Sequence, residues 1–187
     1  MKRVFLAIRF SENEFLGQYI NTIQSQLRAE KIKWIDSNNI HLTLKFFGPI
    51  EESLLKKIKI SLENALKSQQ TFEISFNKLG IFGSKYQPRV LWMGLQNDEK
   101  IINLESIISQ ELTKIGITTD RQNFVPHLSI ARIKHLASKK YFQSVIDRHN
   151  DFDSKEILID RIFLYQSILR PEGPIYKVLK EFKLEQS

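Results

Sequence analysis

Two short stretches constrain this chain more than any others: His41-Leu42-Thr43-Leu44 and His127-Leu128-Ser129-Ile130. Both read His, apolar, hydroxyl, apolar. Side chains of a strand alternate between its two faces. His41 and Thr43 then share one face, and Leu42 and Leu44 the other; His127 and Ser129 pair in the same way. Each strand can bury its aliphatic pair and offer an imidazole beside a hydroxyl to a groove. One such strand is ordinary. Two of them, far apart in 187 residues, point to two imidazoles facing one substrate.

The rest of the chain reads as a scaffold that repeats. Arg3 to Arg9 is a β-branched and aromatic run, predicted as a strand. Ser11 with Glu14 has the form of a capping box, followed by Leu16, Ile20, Ile23 and Leu27 at helical spacing. Trp34 to Asn39 reads as a loop. The first His strand follows and is expected to stop at Gly48-Pro49. Leu54 or Leu55, Ile58, Leu62 and Leu66 form the stripe of a second helix. Phe72, Ile74 and Phe76 alternate as a strand. Leu79 to Pro88, with two Gly and one Pro, reads as a connector between two halves.

The order then begins again. Arg89 to Leu95 is a predicted strand. Asp98 is a candidate cap for a helix with the stripe Ile101, Leu104, Ile108 and Leu112. After the second His strand, Ser138 caps a short helix through Arg148. Glu156 to Ile168 and Tyr176 to Leu184 read as strands around the turn Pro171-Glu172-Gly173-Pro174. The register repeats as well: 37 positions separate Val4 from His41, and 37 separate Val90 from His127. The expectation is one domain over residues 1–187 with halves at about 1–80 and 88–187, and the two His strands across one cleft.

Composition narrows the chemistry. The chain has no cysteine, which excludes disulfides, thiolate zinc sites and a Cys nucleophile. The apolar run Val4 to Ile8 is too short for a signal sequence and no stretch approaches a membrane span, so a cytoplasmic location is expected. A net charge of +7 favours polyanionic partners, although a generally basic surface explains it equally well.

A free imidazole titrates near neutrality, so it can give or take a proton there. Two of them on opposite sides of a phosphodiester suit an in-line displacement, one taking a proton from water and the other giving one to the leaving oxygen. Thr43 and Ser129 can donate to the non-bridging oxygens as charge builds. No carboxylate-rich ligand set is present, and no metal or other cofactor is expected. A single His in an aliphatic strand is more often structural; the matched register of two favours function. His135 and His149 lack such context and read as surface residues. Lys45, Arg121 and Arg132 read as solvated charges.

With these residues in view, the chain resembles the two-histidine (2H) phosphoesterases, and among them the RNA 2′,3′-cyclic phosphodiesterases, also called 2′-5′ RNA ligases of the LigT type. HLTL (41–44) and HLSI (127–130) match the family's paired His-x-Thr/Ser-x signature. RVFLAIRF, KIKWIDSNNIHLTLKFFG, RVLWMGL, FVPHLSIAR and LYQSILRPEGPIYKVLKEFKL resemble further family segments in order. The resemblance implies a two-lobed α+β fold, with antiparallel sheets around a central cleft and helices outside. It implies hydrolysis of terminal RNA 2′,3′-cyclic phosphates to 2′-phosphates, with 2′-5′ joining as a side reaction. His41 would be the proton donor and His127 the acceptor. Ser129 stands where Thr is more frequent, and keeps the hydroxyl. Arg132 matches a family arginine that contacts phosphate, but strict alternation from His127 puts it on the wrong face, so a bulge or the strand end must re-aim it. RNA with cyclic phosphate ends, tRNA fragments included, is the expected partner of a monomer. The alternatives are a 2H enzyme acting on a small nucleotide, such as a cyclic ADP-ribose phosphate or a 2′-5′ oligoadenylate, and a non-catalytic nucleotide- or RNA-binding module.

Overall fold

The apolar run near the start becomes β1 (Lys2–Arg9), buried on both faces. Val4, Leu6 and Ile8 point into the main core; Phe5 and Ala7 join Phe163 and Tyr165 in a second, aromatic cluster on the opposite face. The computed structural model describes residues 1–10, 13–84, 86–118, 124–150 and 152–186. Around β1 the chain forms β2 (Lys31–Trp34), β3 (His41–Ile50), β4 (Phe72–Ile74), β5 (Phe76–Ser84), β6 (Gln87–Leu95), β7 (His127–His135), β8 (Ile157–Ile159), β9 (Arg161–Ile168) and β10 (Ile175–Lys183).

The large sheet is antiparallel, in the order β10-β9-β1-β3-β7-β6-β5, with β2 also paired to β7. β4 and β8 form a separate two-stranded ladder. The pairing follows one rule at both ends: β1 lies between β3 and β9, and β6 lies between β7 and β5. The two groups of strands join only where Leu42 of β3 pairs with Leu128 of β7. Beyond that point β3 and β7 part, and β2 continues along β7.

Four helices cover one face. They are α1 (Glu14–Gln26), α2 (Glu52–Leu66), α3 (Glu99–Thr113) and α4 (Lys139–Arg148). Each buries the stripe its period predicts, for example Leu55, Ile58, Leu62 and Leu66 on α2. The other face of the sheet is left to the histidines. No helix among the described residues is long and apolar enough to cross a membrane.

Four expectations change. Ser11 lies outside the described residues, and the cap of α1 is Asn13, whose Oδ1 accepts from the Leu16 amide at 3.0 Å. Trp34, read as the start of a loop, instead ends a strand, Lys31–Trp34; four residues are too few to show an alternation, and pairing with β7 defines it. β3 runs through Gly48-Pro49 to Ile50, with Gly48 at φ 72°. Proline is tolerated there because β3 has left β7 and pairs with β1 alone. Residues 79–88 are no connector: they lie in the β5–β6 hairpin, where Gly80 faces a tryptophan and Gly83 takes φ 102°.

Gly80 leaves the room that Trp92 of β6 occupies. A Cβ at position 80 would stand 2.2 Å from the indole ring. Gly80→Ala should therefore displace the ring and destabilise the fold by about 1–3 kcal/mol, as overpacking does. A urea unfolding midpoint equal to wild type would contradict that packing.

Candidate active site

The pairing of Leu42 with Leu128 places the four residues singled out by the motifs. Both leucines are fully buried. On the opposite face of an antiparallel pair, the flanking positions are neighbours. His41 therefore lies beside Ser129, and Thr43 beside His127. Each imidazole has next to it the hydroxyl of the other strand. All four are half-buried, and the two strands share one burial pattern from the His onward.

Backbone carbonyls fix the imidazoles. His41 Nδ1 donates to the Asn39 carbonyl at 2.6 Å, and His127 Nδ1 donates to the Val125 carbonyl at 2.7 Å. A carbonyl only accepts, so the proton of each neutral ring sits on Nδ1. Nε2 then carries the lone pair, able to take a proton or, once charged, to give one.

Aromatic rings wall both histidines. Phe5 and Tyr176 of β10 lie 5.0 and 5.2 Å from the His41 ring, the tyrosine edge-on. Phe82 of β5 and Trp92 lie 4.6 and 6.2 Å from His127. Burial holds the pKa of His41 below the ordinary imidazole value; the Asn39 bond opposes this, and the charge of His127 pushes it down again. Burial lowers His127 too, against its bond to Val125. Mutual repulsion disfavours the doubly charged pair.

A bulge re-aims Arg132. Trp92 pairs with Ser129 and Leu91 with Ala131, so Ile130 is skipped in the ladder. Ile130 and Ala131 are both buried in succession, and Arg132 emerges on the histidine face. It stands close enough to Tyr176 to draw that hydroxyl's pKa down, against the stronger upward effect of burial. β3 has the same device: Leu44 is skipped, Lys45 turns inward and Phe46 comes to the surface, half exposed. Lys45 is thus not a solvated charge. It is 5% exposed and donates to the Thr118 carbonyl at 3.3 Å. Arg121 lies outside the described residues. His135 is exposed, as expected. His149 is no simple surface residue: it contacts Tyr19 and Gln26 of α1, at 3.2 and 3.0 Å.

Sequence reasoning missed the aromatic walls. Phe5 was legible as core, but its parity with Arg3 and Arg9 placed it on the histidine face. Phe82 fell in the supposed connector. Two hollows of about 340 and 390 Å³, one between β1 and the β8–β9 region and one between the β5–β6 hairpin and α4, lie elsewhere; neither is lined by His41 or His127. Among the described residues no three His, Asp or Glu side chains stand together as a metal site.

The sequence profile of the 2′-5′ RNA ligase superfamily matches residues 16–168. The chain belongs to the 2′-5′ RNA ligase superfamily. It is 34% identical over 180 residues to the RNA 2′,3′-cyclic phosphodiesterase of Methanocaldococcus jannaschii, covering 96% of this chain and 99% of that protein. It is 33% identical to the RNA 2′,3′-cyclic phosphodiesterase of Thermotoga maritima, covering 98% and 96%. Its fold matches the crystal structure of E. coli LigT complexed with 3′-AMP at a TM-score of 0.77, with 21% identity and 99% of each chain covered. The α+β architecture of these LigT-like structures is the one described above.

Both imidazoles should be neutral at pH 7 in the free protein. Their Cε1 proton resonances should titrate with midpoints below about 6.5, the ordinary imidazole value. The unfolded chain then binds protons that the folded one resists. Stability is intact above about pH 6.5 and falls as pH drops through the folded values. A midpoint above 7 for either ring would contradict the burial described here.

Proposed function

We propose that this chain hydrolyses RNA 2′,3′-cyclic phosphate ends to 2′-phosphomonoesters. The observation that carries the reading is the arrangement of the two rings: each Nδ1 is tied to a backbone carbonyl, which makes Nε2 the nitrogen that can exchange a proton, and the Leu42–Leu128 pairing sets each ring beside a hydroxyl-bearing residue of the opposite strand. The relatives named RNA 2′,3′-cyclic phosphodiesterase, alike over nearly their whole length, support it.

The step balances with these groups. Neutral His127 takes a proton from water as its oxygen attacks phosphorus. The bond from phosphorus to the 3′ oxygen breaks, and protonated His41 gives its proton to that oxygen. The product carries a 3′-hydroxyl and a 2′-phosphate. Thr43 and Ser129 donate to the non-bridging oxygens, and Arg132 offsets their charge. The anionic phosphate itself favours the charged form of the nearby donor, which corrects for the lowering by burial. If the 5′-hydroxyl of a second RNA replaces water, the same transfers form a 2′-5′ bond.

The test uses an RNA oligonucleotide ending in a 2′,3′-cyclic phosphate, with EDTA present. Wild type should give the 2′-phosphate. His41→Ala and His127→Ala should each lower kcat about 10²- to 10⁴-fold while keeping Tm. The pH–rate profile should be bell-shaped, because one ring must be charged and one neutral. Activity lost to the chelator and restored only by a divalent metal would overturn the mechanism, and so would full activity in either variant. A wild type active on small nucleotides alone would move the substrate assignment to that class.

A further inference from the structure

The two histidines need the same thing and obtain it differently. Each Nδ1 depends on a carbonyl two residues earlier. Before His127 that carbonyl belongs to Val125, and Pro126 follows. Proline fixes its own φ and restricts the residue before it, so covalent geometry holds the acceptor still. Before His41 stand Asn39 and Ile40, with no such restraint. There a side chain does the holding. Asn39 Nδ2 donates to the Pro174 carbonyl at 3.1 Å, across 135 positions of sequence. Asn39 also ends a 3-10 turn (Ser37–Asn39), with its amide bonded to the Asp36 carbonyl at 2.8 Å. Pro174 lies in the turn that leads into β10, two residues before Tyr176, whose ring packs edge-on against His41. One turn thus grips His41 twice, through Asn39 and through Tyr176.

We propose that Asn39 is a positioning residue: its side-chain bond to Pro174 holds the carbonyl that keeps the His41 proton on Nδ1 and Nε2 toward the cleft. This rests on the reading of His41 as the proton donor. Without the strut, the carbonyl drifts, the Nδ1 bond weakens and the ring can rotate or change tautomer. That bond favours the charged ring, so its loss makes His41 a weaker holder of the proton. The other ionisable groups around His41 are Tyr176 of β10, Arg9 of β1, whose backbone pairs with it, His127 across the cleft, and Arg132 beside Tyr176. A change at position 39 leaves the identity of each unchanged, and Tyr176 stays held by its β10–β9 pairing with Ser167.

Asn39→Ala removes the strut, and Asn39→Leu removes it while keeping the side-chain volume. The readouts are ¹⁵N shifts of the His41 ring, thermal unfolding, and the pH–rate profile on an RNA cyclic phosphate. Both variants should lose the single Nδ1–H tautomer at His41, with His127 unchanged. kcat should fall on the order of 10- to 100-fold, as small misplacements of a reacting group do, with KM within about twofold. The alkaline limb of the profile should move to lower pH, since the donor loses its proton sooner. A His41 that stays Nδ1–H with an unmoved alkaline limb would overturn the proposal, whatever happens to Tm. The ring shifts need no turnover: if wild type does not cleave the RNA, the reaction assignment fails while the strut is still decided.

Discussion

One backbone pairing organises the site. Among the described residues Leu42 against Leu128 is the one pairing between β3 and β7, and the two His–hydroxyl motifs take their relative place from it. Antiparallel register converts the pair of leucines on the core face into two His–hydroxyl neighbours on the other. The strands must then part, because a continued ladder would close the groove with side chains. β2 makes this possible by satisfying β7 beyond the junction, and Ile35 reinforces it with an amide bond to the Ile130 carbonyl at 2.9 Å. A buried strand edge left unpaired would carry an energetic penalty for each orphaned group. The cleft exists because a segment from elsewhere in the chain takes over one edge of β7.

The same geometry explains why the imidazoles are poised and not simply charged. β1 is buried on both faces, which puts Phe5 and its aromatic neighbours directly behind His41. Phe82 and Trp92 do the same behind His127. These walls exclude water from the rings and favour their neutral forms. Each carbonyl partner works in the opposite direction by stabilising the charge. Burial is the larger effect, so both rings are held below the ordinary imidazole value, and a nearby anion would favour the charged form.

The histidine motifs were legible because alternation is a short-range property. His41, Thr43, His127 and Ser129 lie within three residues of one another in their strands, before any irregularity intervenes. The helical stripes were legible for the same reason, as Leu55, Ile58 and Leu62 illustrate. What failed depends on long-range pairing. β2 is a strand only because β7 is beside it, and residues 79–88 look like a connector until β5 and β6 pair. Pro49 sits inside a strand because the neighbouring ladder has already diverged. Lys45 and Arg132 exchange the faces expected of them through bulges, which no local pattern marks. Parity called for either a bulge or a strand end before Arg132, but could not say that a bulge at Ile130 does it.

The bulges also give two equivalent strands unequal chemistry. Each skips the fourth residue and turns the sixth toward the histidine face, placing Phe46 on one side and Arg132 on the other. An apolar ring lies along the His41 strand, under Arg3 at 5.9 Å, while a guanidinium lies along the His127 strand and influences Tyr176 beside His41. β10 adds to the inequality, since among the described residues β5 is the edge strand on the His127 side, whereas β10 lies outside β9 on the His41 side. His41 is accordingly held through a turn bonded to Asn39, and the carbonyl that holds His127 is followed by a proline. Two rings with the same local geometry thus sit in different fields. That difference is what an acid and a base need if a single displacement is to run in one direction across the groove.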